Sequence, residues 1–116
     1  MMRFILPAAL GLITVAGAAC STSDSSGLSC QGAGANASVS ATGSLAFTPN
    51  AVTITAGQSV CWQNTGSVSH TVTADGGSFA SPLDPSQTFT RTFATAGTFP
   101  YHCTIHAGMV GTVTVN

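Results

Sequence analysis

The sequence predicts an all-β fold, an antiparallel sandwich or barrel, on three observations. From Leu45 onward, short runs of β-branched and aromatic residues are separated by turn residues. Within those runs apolar and polar side chains alternate with a period of two, as in a strand with one buried face. No helical period persists for longer than a turn.

Each run has its own justification. Residues 51–55 alternate, with Val52 and Ile54 on one face, and Ala56-Gly57 turns the chain. Residues 59–64 follow, where Val60 and Trp62 share a face. Residues 70–74 form a short strand, Asp75-Gly76-Gly77 a turn, and residues 81–85, with Pro82 and Pro85, a loop. The next strand covers residues 87–93. Strict alternation there puts Arg91 on the face of Phe89 and Phe93, a conflict that a bulge or an edge position relieves. Ala96-Gly97 turns into residues 98–102, where Phe99 and Tyr101 face one way and Thr98, Pro100 and His102 the other. Residues 110–115 close the sheet, with Val113 and Val115 on one face.

The 116 residues accommodate one domain behind two leading segments. Residues 1–19 read as a signal peptide: Met1, Met2 and Arg3 give a positive start, residues 4–15 are largely apolar, and small residues precede Cys20. The apolar run is shorter than the roughly 20 residues needed to cross a bilayer. Two cleavage readings fit. Ala16-Gly17-Ala18 matches an ordinary signal-peptidase site, whereas Ala18-Ala19-Cys20 followed by Ser21 resembles a bacterial lipoprotein box that would place a lipid on Cys20. Either implies export to the periplasm or cell surface, and the second adds a membrane tether. Residues 20–43, rich in Ser, Gly and Ala, read as a flexible tether, and residues 44–116 as the domain.

Charge is scarce, with Lys and Arg totalling 2 and Asp and Glu 3. Once the leader is gone, Arg91 stands against Asp24, Asp75 and Asp84, too little charge to steer nucleic acid or a strongly charged partner. Docking must then rely on apolar and neutral polar surface. Of the 4 cysteines, Cys103 belongs to the cluster described next and Cys20 to the lipid reading, which leaves Cys30 and Cys61 to pair in an oxidising compartment. The alternative is that Cys61 is an ordinary buried small apolar residue.

The chemistry concentrates in Tyr101-His102-Cys103-Thr104-Ile105-His106-Ala107-Gly108-Met109, which sets a thiolate, an imidazole and a thioether in one turn after a strand. A Cys and two His with a weak axial Met is the donor set of blue-copper electron-transfer sites. Cys103 emerges on the core face, and Gly108 allows the tight bend that returns the chain. The second imidazole must come from elsewhere, and among 3 histidines His70, at the start of a strand, is the candidate. His102 faces away from Cys103. It is also the single histidine left once His70 and His106 are used, too few for the second copper centre that an enzyme of this kind would need. One copper ion held by His70, Cys103, His106 and Met109 is therefore the expected cofactor.

Residues 44–116 resemble the cupredoxins, particularly the plastocyanin, amicyanin and pseudoazurin group. The resemblance runs through Phe47-Thr48-Pro49, Val52-Thr53-Ile54 with Gly57, Val60-Cys61-Trp62-Gln63-Asn64, Ser69-His70-Thr71-Val72, Gly97-Thr98-Phe99 and the Cys103 to Met109 loop, whose short spacing is similar to amicyanin. The resemblance implies a Greek-key β-sandwich and a small exported type 1 copper protein that is not an enzyme but carries single electrons between redox protein partners docking near His106. The same ligands would also serve a module for copper delivery or sequestration. The expected state is a monomer. One departure concerns Thr71, which stands where plastocyanin-like members commonly carry an Asn that braces the site.

Overall fold

The computed structural model describes Cys30 and residues 34–116, so the leader and Cys20 lie outside the described residues. Among these, nine strands form: β1 (Ala37–Ala41), β2 (Phe47–Thr48), β3 (Ala51–Ile54), β4 (Ser59–Asn64), β5 (His70–Ala74), β6 (Ala80–Leu83), β7 (Thr88–Thr92), β8 (Gly97–His102) and β9 (Val110–Val115). They make a four-stranded sheet in the order β2-β1-β4-β7 and a five-stranded sheet in the order β3-β9-β8-β5-β6.

The strand faces follow the sequence pattern. Val60 and Trp62 on β4, Val113 and Val115 on β9, and Tyr101 on β8 are all buried, while Thr98 and Pro100 are exposed. Arg91 does lie on the face of Phe89 and Phe93, and the edge position of β7 accommodates it. Its guanidinium carbon sits 5.0 Å from the Phe79 ring centroid and 5.6 Å from that of Phe93, so the cation is held over aromatic faces.

Three expectations need correction. The sheets are mixed rather than antiparallel, because β1 pairs with β4 and β3 with β9 in parallel. Alternation of side chains is the same in both strand directions, so it carries no information about direction. Residues 20–43, read as tether, contribute β1, whose buried Val39 and Ala41 pack in the core and whose backbone is paired on both sides. Its small residues resemble a linker in composition, yet a strand between two others needs little side-chain bulk to be held. Residues 81–85 are not wholly loop, since β6 runs to Leu83. Pro82 is tolerated there because β6 is an edge strand.

Trp62 centres the core between the sheets. Its ring lies 5.3 Å from Tyr101, 5.6 Å from Phe89, 5.9 Å from Phe79 and 6.5 Å from Phe93, centroid to centroid. Burying large apolar side chains of this kind contributes about 1.5–3 kcal/mol each. Tyr101 lies over Gly111, its partner across the β8–β9 ladder, where an added Cβ would come within 2.3 Å of the ring. Cys61 faces the opposite side of β4 and forms a disulfide with Cys30, closing a sequence separation of 31 residues. On the loop-entropy account such a crosslink stabilises by about 3–4 kcal/mol.

Candidate metal centre

The site forms where β4 and β8 end and β5 begins. Asn64, at the end of β4, is buried and organises the connection to β5. Its amide nitrogen donates to the backbone oxygens of Val68 at 2.7 Å and Leu83 at 2.9 Å, and its side-chain oxygen accepts from the Gly66 amide at 2.9 Å. These bonds satisfy both ends of a buried amide and deliver His70 to the first position of β5. β8 ends at His102, so Cys103 is the first residue beyond it.

The loop after β8 folds back on itself. The Cys103 amide donates to the Met109 carbonyl at 2.9 Å, closing the turn that carries His106. Gly108 has a φ of 79°, a conformation that a side chain would strain. Cys103 and Met109 are buried and His106 is half-buried, so the loop presents one imidazole toward solvent and keeps its sulfurs inside.

Three donors converge. The Nδ1 atoms of His70 and His106 lie 3.2 Å apart, and the Cys103 sulfur is 4.0 Å from the first and 3.6 Å from the second. The ligand atoms of these residues all fall within 4.8 Å of one another, the grouping expected from the sequence. Two imidazole nitrogens and a sulfur so close together can direct three donor lone pairs at one cation. Soft sulfur with two imidazoles suits copper.

The surroundings reinforce that fit. Burial holds the His70 pKa below its ordinary 6.5, and the neighbouring His106 lowers it further, against a smaller upward pull from the Thr42 backbone. A neutral imidazole is the form that binds a metal. Cys103 is the one free cysteine among the described residues. Its sulfur accepts a hydrogen bond from the Thr71 amide at 3.4 Å. Met109 is 1% exposed and packs in the core cluster with Cys103.

Known proteins give the same answer. Residues 34–116 match the family model described as copper binding proteins of the plastocyanin/azurin family. The chain belongs to that family. It is 38% identical over 87 residues to plastocyanin of Scenedesmus fuscus, covering 63% of this chain and 89% of that protein. Among solved structures, a purple cupredoxin from Nitrosopumilus maritimus superposes with a TM-score of 0.64 at 28% identity, covering 70% of this chain and all of the other. A reduced amicyanin variant gives 0.62 at 29% identity, covering 72% of this chain and 84% of the other. Copper is thus the cofactor of this cupredoxin, and the sandwich is the cupredoxin fold that the sequence pointed to.

Two features of this cupredoxin were less legible. His102 lies on the opposite face of β8 from Tyr101 and bonds Asp75, its Nδ1 donating to the carboxylate at 2.5 Å. It stands apart from the three converging donors. The pairing with Asp75 had no signal in the sequence, because the two meet only through the β5–β8 register. The hydroxyls around Thr71 were equally hidden, since threonines are common on strand surfaces and nothing in their spacing marks these.

Proposed function

We propose that this cupredoxin carries single electrons between redox proteins through one type 1 copper ion held by His70, Cys103, His106 and Met109. The observation that carries the reading is the convergence of one sulfur and two imidazole nitrogens at a buried strand end, on a frame of paired strands. Copper bound there would alternate between Cu(I) and Cu(II), with thiolate and imidazole serving both states. Cys103 supplies the thiolate, His70 and His106 the neutral imidazoles, and Met109 the weak axial donor. The protein's part is to hold these donors still, so that little rearrangement accompanies the gain or loss of an electron.

His106, half-buried, offers the short route to solvent. The loops at this end of the sandwich carry the exposed apolar residues Leu45, Val68 and Ile105. Such surface supports docking of a redox partner through apolar contact near His106, in line with the scarcity of charge. The chain acts as a monomeric carrier and not as an enzyme: among the described residues, His102 is the one histidine outside the converging group. The disulfide supports export to an oxidising compartment. Anchoring by a lipid on Cys20 rests on the lipoprotein-like box alone.

The experiment is copper loading of the purified protein, followed by absorption and electron paramagnetic resonance spectra. One Cu(II) per chain should give an intense blue or violet band from sulfur-to-copper charge transfer, and Cys103→Ser should abolish it. Met109→Gln should keep a charge-transfer band while lowering the potential. A colourless wild-type complex would refute the copper assignment.

A further inference from the structure

Strand β7 is an open edge, remote in sequence from the metal ligands. It ends the four-stranded sheet and, among the described residues, pairs with β4 alone. The other sheet ends are blunted: β2 has 2 residues, β3 and β6 have 4 each, and β6 carries Pro82, which offers no N–H. β7 has 5 residues, Thr88-Phe89-Thr90-Arg91-Thr92, and no proline. The bonds at its two ends fix where its backbone points. The Asn64 amide donates to the Gln87 carbonyl at 3.0 Å, and the Phe93 amide to the Gln58 carbonyl at 2.9 Å. Residues of an antiparallel strand alternate between bonding the neighbour and turning away from it. Gln87, Phe89, Arg91 and Phe93 therefore bond toward β4, while Thr88, Thr90 and Thr92 turn their N–H and C=O groups to the open side.

Arg91 is the single Lys or Arg among the described residues, and it points inward over Phe79 and Phe93 rather than out to solvent. Its Nε is buried without a hydrogen-bond partner. The one ion pair among the described residues joins His102 to Asp75, so no carboxylate attends this charge. Half-buried, the guanidinium keeps its remaining hydration through the open edge.

We propose that β7 is a self-complementary edge for a second copy of this chain, and that Arg91 holds it open. Thr-Phe-Thr-Arg-Thr is symmetric about Thr90 in its outward-bonding residues. If Thr90 lies opposite Thr90 of an antiparallel second copy, Thr88 and Thr92 lie opposite each other, and every outward backbone group of both strands is bonded. The facing Thr pairs also suit a two-strand contact. Arg91 is what this register offends. It falls opposite Phe89 of the second copy, and the two Arg91 side chains become diagonal neighbours on the core face, about 7–8 Å apart at the backbone. Pairing would thus bring two like charges together and strip their water with no carboxylate to replace it. An inward charge on an edge strand is one of the devices that keep such edges unpaired. General repulsion between copies cannot substitute for it here, because the chain carries so little charge.

The test compares Arg91→Thr, which removes the charge, with Arg91→Lys, which keeps one, by sedimentation over a range of concentrations. The wild type and Arg91→Lys should remain monomers, and Arg91→Thr should dimerise at least about tenfold more tightly than either. Adding Thr90→Pro to Arg91→Thr deletes an outward N–H without touching the bonds to β4, and should restore the monomer. A wild type that dimerises, a folded Arg91→Thr that stays monomeric, or dimers that survive Thr90→Pro would overturn the proposal. Hydrogen exchange in the wild type needs no variant to fold. The amides of Thr88, Thr90 and Thr92 should exchange rapidly, and those of Phe89 and Arg91 at least about tenfold more slowly. A Thr90 amide as protected as that of Arg91 would show the edge to be closed already and would refute the reading.

Discussion

Gly111→Ala should damage the fold through a single methyl group. An alanine Cβ at this position would lie 2.3 Å from both Cζ and the hydroxyl oxygen of Tyr101 and 2.9 Å from Cε1. The ring cannot easily retreat. It packs edge-on against Phe47 at 4.8 Å and against Trp62 at 5.3 Å, and its backbone is fixed opposite Gly111 in the β8–β9 ladder. Overpacking of this kind costs about 1–3 kcal/mol. Taking about 2 kcal/mol, the melting temperature of a domain of this size should fall by about 8–16 °C. The assay is thermal unfolding of the metal-free protein, with a double-mutant cycle as the decisive step. Tyr101→Leu removes the obstructing ring, so Gly111→Ala should cost less in that background by about 1 kcal/mol or more. Strict additivity of the two substitutions, or a melting temperature for Gly111→Ala within about 2 °C of wild type, would refute the reasoning.

Removing the disulfide with Cys30→Ala and Cys61→Ala together should lower stability by about 3–4 kcal/mol in denaturant unfolding while leaving the blue band intact; loss of the band in the folded variant would tie the disulfide to the metal site. His102→Asn should bind one copper with an unaltered charge-transfer band, and a lost band would return His102 to the site. In the metal-free protein, the unfolded chain binds a proton near pH 6.5 that folded His70 resists, so stability should fall as pH drops below 6.5. Urea unfolding at about pH 7.5 and 5.5 checks the sign, and a midpoint that stays level or rises on acidification would contradict it.

The legible parts of this protein are those whose physics is local. The Cys103 to Met109 segment announces its donors because three of them lie in one turn, where sequence spacing is nearly spatial spacing. The strands β4, β5 and β9 are legible for a similar reason, since alternation along one strand reports a buried face. What resisted reading is what depends on neighbours. Strand β1 carries one sizeable apolar side chain, Val39, and is held by backbone pairing to β2 and β4 that no window around it reveals. Strand β6 survives Pro82 only because one of its edges is free.

The same distinction separates the ligands from the groups that hold them. A metal selects donors by chemical type, so Cys, His and Met stand out even before their partners are known. The supports act through hydrogen bonds that many residue types can supply. Asn64 shapes the approach to His70 through two backbone oxygens, and Thr71 reaches Thr104 with a hydroxyl. Neither contact follows from residue type, because each depends on the crossing of segments distant in sequence. It follows that relatives with the same donors can differ in potential through such supports alone.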